Sequence, residues 1–109
     1  MYTPEQGDIV DLDFDPSAGH EIVKRRPAFV LSQKIFNETT GFAVVAPITS
    51  TTQNLRLHVE LPAGMKTSGS VLLHQLRSVD YKSRNVSYRE ASTAQIAKKV
   101  QKIAKLILS

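Results

Sequence analysis

The amino-acid sequence predicts a mainly β (α+β) fold: a small barrel of five to seven short strands with one C-terminal α-helix. Three observations carry this expectation. Apolar residues fall in short runs or in period-two alternation, as in residues 55–61 (LRLHVEL). Gly, Pro, Asn and Asp break those runs at close intervals. Only the last segment repeats its apolar residues at helical spacing.

Residues 7–13 (GDIVDLD) partly alternate, with Ile9 beside Val10 and Leu12, and form the expected first strand. Residues 14–19 (FDPSAG) carry Asp-Pro and Gly, so a loop is expected there, running on through His20, Glu21, Ile22, Val23, Lys24 and Arg25. Pro27 holds Arg26 extended, because the proline Cδ clashes with a helical predecessor. Ala28, Phe29, Val30 and Leu31 read as a buried second strand. Residues 32–40 are polar and end at Gly41, which suits a short helical turn or loop. Residues 42–48 (FAVVAPI) form a third strand. Its Pro47 cannot donate to a ladder, so the strand is expected at an edge or bulged at that point.

Residues 49–54 (TSTTQN) make a polar loop. In the following run Leu55, Leu57, Val59 and Leu61 share one face of a half-buried strand, and His58 faces solvent. Pro62, Gly64 and Gly69 bracket another loop, and residues 70–80 (SVLLHQLRSVD) supply one bent strand or two short ones. A helix is expected over roughly residues 92–108. Ser92 would cap it, Gln95 would complete a capping box, and Ile96, Val100, Ile103 and Ile107 would form its apolar stripe. Lys98, Lys99, Lys102 and Lys105 occupy other faces, with Lys102 and Lys105 near the negative end of the helix dipole. Such a helix covers an open face of the barrel or packs on a partner.

A chain of 109 residues suits a single domain, taken as 1–109. Its core is modest, which favours oligomerisation. There is no cysteine, so disulfides and thiolate metal sites are excluded. The opening MYTPEQGDIV has no cationic start leading into an apolar run, and no stretch is apolar enough to span a bilayer. A cytoplasmic protein without membrane association is the expectation. Fourteen Lys and Arg against ten Asp and Glu give a net charge of +4, which favours an anionic partner.

Three places concentrate chemistry-bearing side chains. The first is the segment His20, Glu21, Lys24, Arg25, Arg26, placed just before a buried strand. The second is Thr49, at the exit of the strand ending Pro47-Ile48. The third is His74-Gln75, polar residues inside an apolar run. Each also has a structural reading. The cations suit a solvated loop, Thr49 a strand-end turn, and His74 a satisfied core histidine. The three histidines are far apart in sequence and show no His-x-x-x-His or Glu-x-x-His spacing, so no metal motif is present and neither metal nor cofactor is expected. Together the residues meet the needs of RNA cleavage. Glu or His can take the 2′-hydroxyl proton or protonate the leaving oxygen. An Arg fork matches the phosphate, and a Thr hydroxyl can donate to a phosphoryl oxygen.

Several segments, in order and in register, resemble the MazF/PemK family of toxin endoribonucleases. They are Gly7-Asp8-Ile9-Val10, Asp15-Pro16-Ser17-Ala18-Gly19-His20-Glu21, Arg26-Pro27-Ala28-Phe29-Val30-Leu31-Ser32, Phe36-Asn37, Pro47-Ile48-Thr49-Ser50, and Gly69 through Asp80 with His74-Gln75 and Arg77-Ser78-Val79-Asp80. The resemblance implies an SH3-like barrel, a homodimer and cleavage of single-stranded RNA at a short sequence. It implies a 2′,3′-cyclic phosphate and a 5′-hydroxyl as products, and a cognate acidic antitoxin that covers the site. Arg26 and Thr49 match the family's most widely shared catalytic pair, and His20 and Glu21 match assisting loop positions. His74 stands where many members have Asp or Glu as a base, so the base is Glu21 or His74. Lys24, Arg25, Ser50, Gln75 and Arg77 complete the expected RNA contacts. The chain departs from many members by having Glu21-Ile22-Val23-Lys24 in place of Glu-Gln-x-Gly.

Two other readings compete. A gyrase-poisoning toxin of the CcdB type would share the implied fold, but it reaches gyrase through a Trp-containing tail, and this chain has no tryptophan. A non-catalytic SH3-like RNA-binding module would account for the charge but not for the setting of Arg26 and Thr49.

Overall fold

The computed structural model describes residues 2–14, 24–50 and 58–108. Strand β1 (Asp8–Phe14) buries Ile9, Val10 and Leu12 completely. It is covered on both faces, which is why its sequence alternates poorly. Ile9 packs with Phe29, Ala46 and Ile48. Val10 and Leu12 pack with Ala28, Val30, Val45, Val79 and Tyr81. The sheet therefore has two cores, one on each side.

Strand β2 (Lys24–Val30) pairs antiparallel with β1, setting Phe29 against Ile9, Arg26 against Leu12 and Arg25 against Asp13. The expected loop thus ends earlier than the sequence suggested: Lys24, Arg25 and Arg26 already belong to the strand, and so does Phe14. Pro27 suits this, since it holds Arg26 extended and sits in β2 itself.

Helix α1 (Lys34–Thr40) is the expected helical turn. Gly41 ends it in the left-handed conformation, φ 77°, and its N–H returns to the Asn37 carbonyl. Asn37 is fully buried and fully engaged. Its Nδ2 donates to the carbonyls of Pro4 (2.9 Å) and Ser32 (3.2 Å), and Tyr81 donates its hydroxyl to the Asn37 carbonyl at 2.9 Å. A buried amide satisfied this way fixes α1 against the N-terminal segment.

Strand β3 (Phe42–Thr49) lies inside the sheet, not at its edge. One edge pairs with β2, Ala28 facing Pro47. The other edge pairs first with β6 (Arg77–Asp80), as far as Val45, and then with β5 (Ser70–Leu72), from Ile48 onward. Leu31 donates its N–H to Val44. In the alternating antiparallel pattern this makes Ala28–Pro47 a non-hydrogen-bonded pair and turns the proline nitrogen toward the other edge. Pro47 falls there in the gap between β6 and β5, so the ladder needs no donor from it.

Strand β4 (His58–Glu60) pairs with β5, burying Val59 and leaving His58 exposed, as expected. Leu55 and Leu57 lie outside the described residues. The run 70–80 resolves into two short strands, β5 and β6, around a 3₁₀ turn at Leu73–Gln75. Strand β7 (Ser87–Ala91) pairs with β1 and has no counterpart in the sequence-based expectation. Its side chains are exposed or half-buried, so it lacks the apolar signal of a strand. The sheet runs β4-β5-β3-β2-β1-β7 with β6 also on β3. Among the described residues no ladder joins the outer strands, so the expected barrel is an open, barrel-like sheet.

Helix α2 (Ala94–Leu108) covers one face through Ile96, Val100 and Ala104, with Ile103 half-buried and Ile107 partly exposed. Its cap is one residue later than expected. Thr93 Oγ1 accepts the Ile96 N–H at 3.2 Å, while Ser92 gives its own N–H to the Gly7 carbonyl and so stays with the strand side. No helix among the described residues is long and apolar enough to cross a membrane.

The 61–69 loop is clasped to β7. Glu90 accepts the backbone N–H groups of Lys66 (3.2 Å) and Thr67 (2.7 Å) and the Thr67 hydroxyl (2.6 Å). Arg89 Nε donates to Thr67 Oγ1 at 2.7 Å and pairs with Asp11 at 3.4 Å. Partial desolvation pushes the Glu90 carboxyl up, but the bonds from Thr67 and the two backbone donors, with the Arg89 charge, hold it below its ordinary value of 4.5. Hydrogen bonds from Asn85 and Arg25 hold Asp13 low in the same way. A carboxylate depressed on folding adds stability above its unfolded value and loses it as pH falls through the folded one. The melting temperature should therefore fall as pH drops below 4.5, and the fall should be shallower in Glu90→Gln. Asp13 leaves a residual slope. A variant whose acid slope matches the parent's would remove Glu90 from this account.

Candidate active site

Strand parity decides which polar side chains meet. Ala28 faces Pro47, Arg26 lies two residues before Ala28, and Thr49 lies two after Pro47. Period two puts all four on one face. Arg77 faces Val45 across the other edge of β3 and so joins that face. Leu72 alternates with Val71, whose partner Ile48 points to the opposite core, and Phe14 follows Leu12 by two. Phe14, Arg26, Pro47, Thr49, Leu72, Gln75 and Arg77 accordingly line one open cleft of about 560 Å³.

The cleft is cationic at its centre and apolar on its walls. Arg26 and Arg77 bring two guanidinium groups, and no carboxylate is among its described lining residues. Arg77 is steadied by Phe14, its Cζ 4.8 Å from the ring centroid. A guanidinium over an aromatic face is held by the ring quadrupole, and less side-chain entropy is then lost on binding an anion. Thr49 contributes a hydroxyl-bearing side chain and Gln75 an amide.

The sequence-derived candidates separate on this geometry. Arg26, Thr49, Gln75 and Arg77 come together. His74 sits exposed in the 3₁₀ turn, beside the cleft rather than in it. Its Nε2 lies 3.3 Å from Gln75 Nε2, so the cleft-lining amide engages that ring nitrogen. His74 is thus a rim residue and not a core histidine. Ser50 is exposed at the strand exit next to Thr49. Arg25 points to the opposite face of β2. There its Nη1 binds Asp13 at 3.1 Å and its Nη2 donates to Ser87 Oγ at 2.8 Å, tying β1, β2 and β7 together. His20 and Glu21 lie outside the described residues, as does the Lys24 side chain.

Phe14, Pro47 and Leu72 were not singled out as site residues from sequence. Parity was the available signal for Phe14: it stands two residues beyond Leu12, directly ahead of the Asp-Pro turn. Among the described residues no three His, Asp or Glu side chains group as metal ligands would. A second groove of similar size, about 570 Å³, lies between β4 and α2 and is lined by His58, Glu60, Lys99, Lys102 and Ile103. Its charges are mixed, whereas those of the first cleft have one sign.

The chain matches, over residues 5–108, the family described as PemK-like, MazF-like toxin of type II toxin-antitoxin system. It is 34% identical over 86 residues to the endoribonuclease toxin MazF of Escherichia coli (strain K12), covering 79% of this chain and 77% of that one. To the endoribonuclease EndoA of Bacillus subtilis (strain 168) it is 35% identical over 81 residues, 70% of each chain. Among solved structures it superposes on a MazE-MazF crystal structure from Deinococcus radiodurans with a TM-score of 0.91 and 37% identity, covering 99% of this chain and 97% of that one.

Proposed function

The chain belongs to the PemK-like, MazF-like toxins of type II toxin–antitoxin systems, and from that membership and the chemistry of the cleft we infer that it is an endoribonuclease cutting single-stranded RNA without a metal. The observation that carries this reading is the convergence of Arg26, Arg77 and Thr49 in one cleft with apolar walls. Two guanidinium groups attract a phosphodiester, and none of the described lining residues is a carboxylate that could hold a divalent cation. The walls of Phe14, Pro47 and Leu72 lower the local dielectric, which strengthens the attraction.

In the proposed reaction the 2′-oxygen loses its proton to a base and attacks the phosphorus. The 5′-oxygen leaves with a proton, giving a 2′,3′-cyclic phosphate and a 5′-hydroxyl. Arg26 binds the scissile phosphate through its fork and stabilises the charge that grows on it. Thr49 donates to a neighbouring phosphoryl oxygen. Arg77, Gln75 and Ser50 take flanking phosphate or sugar groups, with His20 and Lys24 as further RNA contacts from sequence. The base is Glu21 or His74. Arg25 is left out of this set, because its guanidinium faces away from the cleft and is bound to Asp13 and Ser87.

The test is cleavage of a mixed-sequence RNA in EDTA, followed by labelling of the new 5′ ends with kinase. Direct labelling is expected, since a 5′-hydroxyl needs no prior dephosphorylation. Arg26→Ala should lose roughly a hundred- to thousandfold in rate, about 2.7–4 kcal/mol. Arg26→Lys should also be poor, since a point charge lacks the fork. A folded Arg26→Ala variant as fast as the parent would sink the assignment.

The cytoplasm is the proposed location, and a homodimer the proposed assembly. Large apolar side chains stand exposed at the end of α2, Leu106 by 67% and Leu108 by 75%. Surface of this kind in a small chain favours burial against a second copy. Sedimentation at micromolar concentration should give a dimer, and Leu108→Glu should weaken it; a monomeric parent would refute the assembly.

The cognate antitoxin is proposed to be an acidic segment, disordered alone, that folds over the cationic cleft and excludes RNA. The net charge of +4 and the cleft's single sign of charge support this. The partner should raise the RNA concentration needed for half-maximal cleavage. Tight binding with no effect on cleavage would defeat the blocking model.

A further inference from the structure

Thr49 is the last residue of β3. Ser70 of β5 faces it on one edge, while pairing with β2 stops two residues earlier at Ala28–Pro47. Gly69 lies against Thr49 with φ +119°, so close that a Cβ built there would fall 2.1 Å from the Thr49 carbonyl oxygen, 2.7 Å from its carbon and 3.1 Å from Ser50 Cα. No side chain fits in that space.

The segment carrying Gly69 has little room to back away. The Gly69 carbonyl accepts the Leu61 N–H at 2.8 Å, closing the loop on itself. Two residues earlier Thr67 is buried and clasped by Glu90 and Arg89. On the other side Ser70 is paired to both Thr49 and Glu60. The backbone at Gly69 is thus pressed onto the Thr49–Ser50 peptide from an anchored base.

We propose that Gly69 is a positioning residue for Thr49: by admitting the loop backbone to within contact of the Thr49 carbonyl, it sets where the Thr49 hydroxyl stands in the cleft. The inference rests on that cleft being the active site. Carbon–oxygen contacts settle at about 3.3–3.6 Å, so a methyl group at position 69 must drive the Thr49 peptide away by roughly an ångström. A displacement of that size at a catalytic group costs about a hundredfold in rate.

The experiment is a double-mutant cycle in single-turnover RNA cleavage, using Gly69→Ala, Thr49→Val and both together. Binding is measured separately with a 2′-deoxy oligonucleotide that cannot be cut. Gly69→Ala, shown folded by circular dichroism, should lower the saturated rate by roughly ten- to a hundredfold while the oligonucleotide binds within about threefold of the parent. In the Thr49→Val background the same change should cost less than about threefold, because residues that act through one another are not additive. Thr67→Val, which loosens the clasp from the far side of the loop, should give a smaller loss that also vanishes in Thr49→Val. This second variant decides the matter if Gly69→Ala fails to fold. Full activity in folded Gly69→Ala, additive losses, or an inert Thr67→Val beside an unfolded Gly69→Ala would overturn the role of Gly69 alone. A Thr49→Val variant as fast as the parent would overturn the site reading and this inference with it.

Discussion

The cationic cleft depends on β3 having two different sets of partners along one edge. For its first half it pairs with β6, and for its last two residues with β5. The changeover is possible because the 3₁₀ turn at Leu73–Gln75 carries the chain out of the sheet between those strands. Pro47 sits at the changeover, where a strand residue needs no N–H on that side. The break in the ladder is also the opening of the cleft. Gln75 projects from the turn, Leu72 and Arg77 stand on either side of it, and Thr49 lies just past the proline. A strand uniformly paired on both edges would have filled the same space with backbone.

The cleft has an internal difficulty, since two guanidinium groups share it before any anion arrives. Burial would make their repulsion expensive, yet both side chains remain substantially exposed and water screens them. Phe14 helps in a second way. Its ring offers Arg77 a partner that carries no net charge and so leaves the cation available to a phosphate. On the other face of the same strands the acidic residues are consumed locally: Asp13 by Arg25 and Asn85, Asp11 by Arg89, and Glu90 by the loop. Among the described residues the sheet thereby segregates its charges, with acid–base pairs on one side and the two cleft arginines on the other.

The fold class, the C-terminal helix and the meeting of Arg26 and Thr49 in one cleft were all legible in the sequence, because each rests on a local signal. The helix follows from apolar spacing, and the extended Arg26 from Pro27. That meeting follows from motifs whose order matches a family. What was not legible depends on which strands become neighbours. Strand β7 has no apolar stripe because it is held at the edge by backbone pairing to β1, with side chains that clasp a loop instead of filling a core. Arg25 and Arg26 looked equivalent in a cationic run, and only the register with Asp13 and Leu12 separates them. The cap at Thr93 rather than Ser92 turned on a backbone bond to Gly7, eighty-five positions away in sequence. Gly69 read as one more loop glycine until the approach to Thr49 gave it a specific reason.

The adjacency of Arg25 and Arg26 also bears on how such a chain can diverge. Successive residues of a strand face opposite ways, so the two arginines answer to separate pressures although they share a codon neighbourhood, a charge and a shape. Gaining or losing one residue between Arg25 and Pro27 would keep the composition and isoelectric balance almost intact. It would nevertheless exchange the bracing arginine for the cleft-lining one in a single step. A change of length inside this stretch therefore alters which arginine meets the cleft, whereas a point replacement leaves the facing of its neighbours intact.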